Sequence, residues 1–431
     1  MSEKRTLKVD ALARVEGEGA MHVRLRDGVV EQVELRIYEP PRFFEALLRG
    51  RTFAEPPDIT ARICGICPVA YQLSACAAIE DACGVDVGDP IRRLRRLLYC
   101  GEWLQSHALH VFMLHAPDFL GFHGAVEMAN GGHREVVEHA LRIKKAGNAI
   151  IAAVGGREVH PVNVRVGGFY RAPTARELAP VAEQLKPARE LAIDAVAWAA
   201  GLSFPHYEEQ HELVALVHPD EYPMERGRLA STAGLDIGPA EFSDHFVEEQ
   251  VPHSNALHCR LRERGNYLAG PIARHALNGE RLAPAARAAA EAIALEPLVS
   301  NPFRSIVVRC VEIVHALDEA IALIEAYEPP DRPAVEVAPR AGVGHGWTEA
   351  PRGMLYHRYE LDEQGVILDA EIIPPTSQNQ ATIEHDLRGF VEQHADLADE
   401  ALGLRCEQAI RNYDPCISCA THFLTLEVDR G

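Results

Sequence analysis

The chain has 431 residues, 47% of them hydrophobic, enough for a large buried core in one big unit or a few ordinary domains. With 43 Lys and Arg against 63 Asp and Glu, its formal charge is −20, and so acidic a surface repels phosphate backbones and anionic lipid, excluding nucleic acid and membrane partners. The first residues are polar with no apolar targeting segment, no stretch approaches the roughly 20 apolar residues that cross a bilayer, and ten cysteines without the dense spacing of a secreted scaffold read as reduced thiols; a cytoplasmic setting is the expectation.

Residues 8–38 alternate apolar and polar positions around Asp27-Gly28, a dipeptide suited to a tight hairpin, which predicts an N-terminal β-ribbon. Helical periodicity then predicts helices over 67–83, 90–115, 135–154, 175–200, 283–295 and 301–327. The Pro329-Pro330-Asp331-Arg332-Pro333 stretch reads as the one plausible linker. Beyond it, a second hairpin is predicted from 355–361 and 366–373, followed by helices over 385–394 and 398–411. There is no internal repeat. The expected fold is mainly α with small β-ribbons, an α+β chain forming a single large unit: an N-terminal ribbon region (1–60), a helical core (61–330) and a C-terminal hairpin and ligand segment (331–431).

Two CxxC pairs carry the chemistry, Cys64-Gly65-Ile66-Cys67 near one end and Cys416-Ile417-Ser418-Cys419 near the other. Two intervening residues let both sulfurs of a pair face one metal, and four soft thiolates suit zinc, an iron-sulfur cluster or nickel. A structural zinc site usually draws its pairs from a short stretch, because the metal replaces a small core, whereas here nearly the whole of a core-rich chain lies between them. A redox pair of disulfides is the other alternative. Cys67 precedes Pro68 and a helical run, so its sulfur is expected at a helix N-terminus, where the dipole lowers a thiol pKa. The N- and C-terminal segments must therefore converge at a metal site.

With these residues in view, the chain resembles the large, catalytic subunits of nickel-iron hydrogenases, whose signatures are RxCGxC near the N-terminus and DPCxxCxxH near the C-terminus. The resemblance extends through Arg14-Val15-Glu16-Gly17, Phe44-Glu45, Gly50-Arg51, Ser106-His107, His110, Gly155-Gly156-Arg157, His160, Glu349-Ala350-Pro351-Arg352-Gly353 and Pro375-Thr376-Ser377-Gln378-Asn379-Gln380, in family order. The forms RICGICPVAYQ, RVEGEG and PTSQNQ look most like the cytoplasmic bidirectional NAD(P)-linked enzymes, or sulfhydrogenases. Tyr71 and Glu18 stand where the family often has His, which puts hydrogen-bond roles at those places in doubt.

The resemblance implies that Cys64 and Cys416 bind nickel alone and that Cys67 and Cys419 bridge nickel to an iron carrying cyanide and carbonyl. Pro351 and Arg352 would line the diatomic pocket, the guanidinium donating to a cyanide nitrogen. Glu16 would pass protons to and from Cys416. Glu45, the backbone carbonyl of Gln380 and His422 would hold magnesium, a hard cation suited to oxygen donors. Asp414 and Asp118 would be acids near Arg352, and His107, His110 and His160 supporting core histidines.

The function implied is reversible heterolytic cleavage of molecular hydrogen, which pairs a Lewis acid with a base, here the Cys416 thiolate or Arg352, with Glu16 moving the proton outward. No third cysteine cluster and no GxGxxG dinucleotide fingerprint occurs in the chain. Electrons would thus leave through a partner iron-sulfur small subunit and reach NAD(P) on a diaphorase (flavin) subunit. A hydrogen-sensing or non-catalytic scaffold subunit is the alternative. The resemblance also implies a maturation protease that cuts after His422 and removes residues 423–431, and the charge fits this, since Glu427, Asp429 and Arg430 could not be buried there without unpaired charge.

Overall fold

The structure, a computed structural model, describes residues 4–421. Its N-terminal sheet is a three-stranded antiparallel meander of β1 (Lys4–Val9), β2 (Gly19–Arg26) and β3 (Val29–Ile37). Asp27 and Gly28, at φ 50° and 80°, supply the two left-handed positions that close the β2–β3 turn. Alternation does the rest: Met21, Val23 and Leu25 point inward and are buried, while their neighbours face outward.

The main core is helical. After the short α1 (Phe44–Leu48) come α2 (Pro68–Cys83), α3 (Asp89–Ala108), α4 (Arg134–Gly155), α5 (Ala175–Ala200) and α6 (Ser305–Glu325). Helices α3, α4, α5 and α6 pack on one another. α3 runs on as a π-helical turn, Leu109–His115, that faces His110 and His115 into the interior. Thr174 and Glu177 form a capping box at the start of α5. The helices predicted over 67–83, 90–115, 135–154 and 175–200 are all present, the second divided between α3 and the π-turn.

Two regions differ from the sequence expectation. Residues 201–282 carry no assignment from periodicity, yet they form a mixed four-stranded sheet with Leu213–Val217 at its centre and the antiparallel hairpin of β4 (Phe246–Gln250) and β5 (Leu257–Leu261). These strands are short, and several are buried on both faces, which erases alternation. The Pro329-Pro333 stretch is also no linker between units: Pro333 O accepts from Phe169 N, and Val335 N donates to Gly167 O, stitching it to the helical core.

The C-terminal region holds β6 (Gly342–Ala350), β7 (Gly353–Leu361) and β8 (Ile367–Ile373), so the expected hairpin gains a third strand. β6 lies directly on α2, and Gly342, Gly344 and Gly346 make the approach possible: a Cβ at Gly344 would stand 2.0 Å from Ala78 O. Helix α7 (Pro375–Gln393) begins ten residues before the predicted 385, and α8 (Asp399–Arg411) matches expectation. The first turns of α7 are polar yet buried, because Asn379 bonds both backbone groups of Ala269, Gln378 donates to Met354 O and Thr382 donates to Tyr267 O. Among the described residues no helix is long and apolar enough to cross a membrane.

Candidate metal centre

The two cysteine pairs meet. Cys64 Sγ lies 3.4 Å from Cys416 Sγ, Cys67 Sγ 3.6 Å from Cys419 Sγ, and Cys416 Sγ 2.6 Å from Cys419 Sγ. All four are buried, with every sulfur within 4.8 Å of the others, and none of the chain's ten cysteines forms a disulfide. Each pair is placed by its own local chemistry. Cys67 is the N-cap residue of α2 with Pro68 at the first helical position, and the buried Glu102 carboxylate accepts from Val69 N and Ala70 N at 2.6 and 3.1 Å. The C-terminal pair follows Asp414, held at φ 51° ahead of Pro415, and Thr376 Oγ1 at the start of α7 accepts from Cys416 N at 3.1 Å.

Hydrogen bonds from Cys416, Cys419 and Cys67, with the Arg352 guanidinium nearby, hold the Cys64 thiol well below its ordinary value. Burial raises Cys416. Cys67 departs from the expectation of a depressed pKa: a hydrogen bond from Cys416 lowers it, but bonds shared with Cys419 and Cys64, together with burial, carry it well above the usual range. Away from the cluster, burial lifts Cys76, Cys100 and Cys310, so these thiols stay protonated and inert.

Glu16 joins this cluster from the N-terminal segment. It forms an isolated parallel bridge with Cys416, and Ile417 N donates to Glu16 O at 2.9 Å. Its Oε2 accepts from Cys416 Sγ at 3.2 Å and from Ser418 N at 3.0 Å. Burial and the Cys64 charge raise its carboxyl above the ordinary range. Ser418 Oγ in turn donates to Glu39 Oε1 at 2.8 Å, and Glu39 reaches the rim with a side chain 15% exposed.

Arg352 is buried beside the sulfurs. Its Nε donates to Asp414 O at 2.7 Å and Nη2 to Asp414 Oδ1 at 3.1 Å, while Nη1 is buried with no hydrogen-bond partner. Pro351 is positioned through its carbonyl, which accepts from Arg274 Nη2 at 3.0 Å and Arg309 Nη1 at 3.4 Å. Asp118 departs from the expectation: its partners are Arg411, at 2.7 and 2.9 Å, and Arg14, whereas Arg352 pairs with Asp414. Paired with both guanidinium groups, Asp118 ties the N-terminal segment to α8.

Glu45 sits on α1 with Oε1 accepting from Ile372 N at 2.8 Å. Burial lifts its carboxyl to about 8, with Glu371 and Asp369 adding to the negative field. Gln380 is fully buried, and both side-chain amide atoms lack a hydrogen-bond partner. His422 and the tail beyond it lie outside the described residues. Of the histidines expected in the core, His107 and His110 are buried, with His107 Nε2 3.0 Å from Glu312 and His110 Nε2 2.7 Å from Arg411 O, whereas His160 is half-buried in a loop, its Nδ1 2.7 Å from Ala61 O. Tyr71 is buried against Cys419 and Cys67, its hydroxyl raised by burial and by those sulfurs.

Several residues that matter here had no sequence signal. Arg274 makes a bidentate pair with Glu312 at 2.7 Å, a further contact to Glu349 at 3.0 Å, and stacks over Trp103 at 4.5 Å. Arg309 lies 3.7 Å from Asp414, and burial lowers it to about 10. A buried charged network of this kind is invisible to periodicity; Glu349, Asp414 and His107 carried a hint only through the resemblance.

The donor set fits soft transition metals: four thiols converge on one point, and an unpartnered guanidinium nitrogen stands at its edge. The family model for nickel-dependent hydrogenases matches residues 42–131 and 282–422. The chain is 33% identical to the sulfhydrogenase 1 alpha subunit of Pyrococcus furiosus over 97% of its length and 98% of that protein. It is 29% identical to the beta subunit of the NAD-reducing hydrogenase HoxS of Cupriavidus necator, covering 97% and 95%. An NAD+-reducing [NiFe]-hydrogenase crystallised in its H2-reduced state superposes with a TM-score of 0.88 at 29% identity, over 97% of this chain and 99% of that one. A [NiFeSe]-hydrogenase of Dm. baculatum shares the fold at a TM-score of 0.79 and 22% identity. With its paired cysteines gathered from both ends into one buried cluster, the chain belongs to the nickel-dependent hydrogenases, as a large subunit that cleaves molecular hydrogen at a nickel-iron site.

Proposed function

We propose that Cys64 and Cys416 hold nickel, that Cys67 and Cys419 bridge it to iron, and that Glu16 carries the proton to and from Cys416. The observation that supports this most directly is the 3.2 Å contact from Cys416 Sγ to Glu16 Oε2. A nickel-iron pair bound there supplies the Lewis acidity that makes molecular hydrogen acidic enough for a nearby base. The Cys416 sulfur is the base, and Glu16 takes the proton from it at hydrogen-bond range. Ser418 N fixes the carboxylate, and the Ser418 hydroxyl relays onward to Glu39 at the rim. Burial shifts this carboxyl toward its protonated form, the direction that suits a proton carrier.

Asp414 fixes two nitrogens of Arg352 and leaves Nη1 free, so Arg352 would be the donor to a cyanide ligand if the iron carries cyanide and carbonyl, as this reading has it. Glu45, the Gln380 carbonyl and His422 hold magnesium, and the burial that lifts Glu45 is the cost that a hard cation would offset. Electrons pass to an iron-sulfur small subunit and on to NAD(P) through a diaphorase subunit, a reading supported by the likeness to NAD-reducing enzymes. A maturation protease trims the chain after His422, and the enzyme works in the cytoplasm. Asp118 enters only as the brace for Arg14 and Arg411.

The test is hydrogen-deuterium exchange between gas and solvent. Glu16→Gln should keep nickel and iron while exchange falls steeply, because an amide cannot carry the proton. Exchange at the wild-type rate would show that the proton leaves by another route.

A further inference from the structure

We infer that β3, the β4–β5 hairpin and α7 together build a second metal site, in which His253, His258 and Glu384 bind a divalent first-row cation of the zinc type. The ligand atoms of these three residues lie within 4.8 Å of one another. His253 Nε2 is 2.7 Å from Glu384 Oε1, and the two histidine rings meet edge to face with centroids 5.8 Å apart. His258 is the telling member. It is wholly buried on β5, and neither ring nitrogen has a hydrogen-bond partner.

A buried imidazole with both nitrogens unpaired forfeits the hydrogen bonds it had in water, and native interiors rarely leave such groups orphaned. A cation accepting the lone pair removes that cost at one of the two nitrogens. Burial lowers His258 to about 4, so the ring is neutral and its lone pair is available. Two imidazoles and one carboxylate are a donor set that zinc takes at about 2.0–2.2 Å, leaving a fourth position for water. The ligands are also held from outside. Leu35 N on β3 donates to Glu384 Oε1 at 2.8 Å, and Asn255, two residues after His253, donates to Ile37 O at 2.7 Å and Glu39 O at 3.2 Å. An entry path exists, because the His253 and Glu384 side chains are 19% and 16% exposed. Around them stand His22 and Glu34, which face each other across β2 and β3 with Nδ1 3.6 Å from Oε2, and Arg36, which pairs with Glu34 at 2.5 Å.

A cation here would tie α7, whose first turn receives Cys416 N, to the β4–β5 hairpin. Its ligands are nitrogen and oxygen, so its chemistry separates it from the sulfur centre.

The test uses the tag-free enzyme complex, loaded with its native metals and dialysed against zinc chloride. The expected result is a single additional equivalent of zinc, coordinated by nitrogen and oxygen without sulfur in X-ray absorption. That zinc should be lost in His258→Gln and Glu384→Gln with nickel and iron contents unchanged. Because His258 is buried, His253→Asn at the half-buried rim provides a variant whose folding is not at stake, and it should weaken zinc binding at least tenfold. No zinc uptake by the wild type, sulfur-ligated zinc, or uptake retained in all three variants would overturn the proposal.

Discussion

Arg352 and Cys416 show how much chemistry rests on single side chains. With Nε and Nη2 committed to Asp414, Arg352 has one nitrogen left for the centre, and a lysine could not keep both contacts at once. Arg352→Lys should therefore lower hydrogen turnover by roughly 10²–10³-fold, the size of losing a preorganised donor, while metal content stays intact. Steady-state turnover with hydrogen as substrate checks it. Cys416→Ser should abolish turnover and lose nickel, since a hydroxyl is a harder and far less acidic ligand than a thiol. At this scale the sequence was most informative where residue type itself dictates chemistry, as in the two CxxC pairs, whereas Arg352 was legible only through the resemblance to the family. It was silent on Arg309, Arg274 and Glu312, because a charge becomes significant only once burial removes its water, and burial is a property of the folded chain.

Among elements, the contact between α2 and β6 sets where Cys67 stands. Three glycines at alternate positions of β6 strip that face to bare backbone, so the strand lies against Ser74, Ala78 and Ala82. A Cβ at Gly346 would come within 2.4 Å of Ala78 N, so Gly346→Ala must push α2 away. The expected cost is ~1–3 kcal/mol, with nickel retention reduced because the sulfur ligand moves with the helix. Thermal unfolding and metal analysis of the variant check both. The same glycines explain why β6 escaped prediction: they lower strand propensity and leave no alternation to read. The opening of α7 escaped because Thr376 to Gln380 are polar and show no apolar period, yet they are buried, with Thr376, Gln378 and Asn379 bonded to neighbouring backbone. Long amphipathic helices such as α4 and α5 were readable because packing on one face imposes the period they display.

For the whole molecule, the decisive fact is that Glu16, Cys64 and Cys416 come from opposite ends of the chain and meet inside it. The centre therefore forms only when the complete unit has folded. Buried this deeply, the sulfurs have no electron route of their own, so the active enzyme should purify with an iron-sulfur subunit; an active, electron-exchanging monomer would count against that. Intact-mass measurement of the nickel-loaded chain should end at His422, and a mass that includes residues 423–431 would mean maturation without cleavage. The account stands most directly on what the four cysteines hold. Elemental analysis with infrared spectroscopy of the purified enzyme should find nickel and iron in equal amounts, with cyanide and carbonyl stretching bands, all lost together in Cys416→Ser. Zinc alone at the four cysteines, with no such bands, would contradict it.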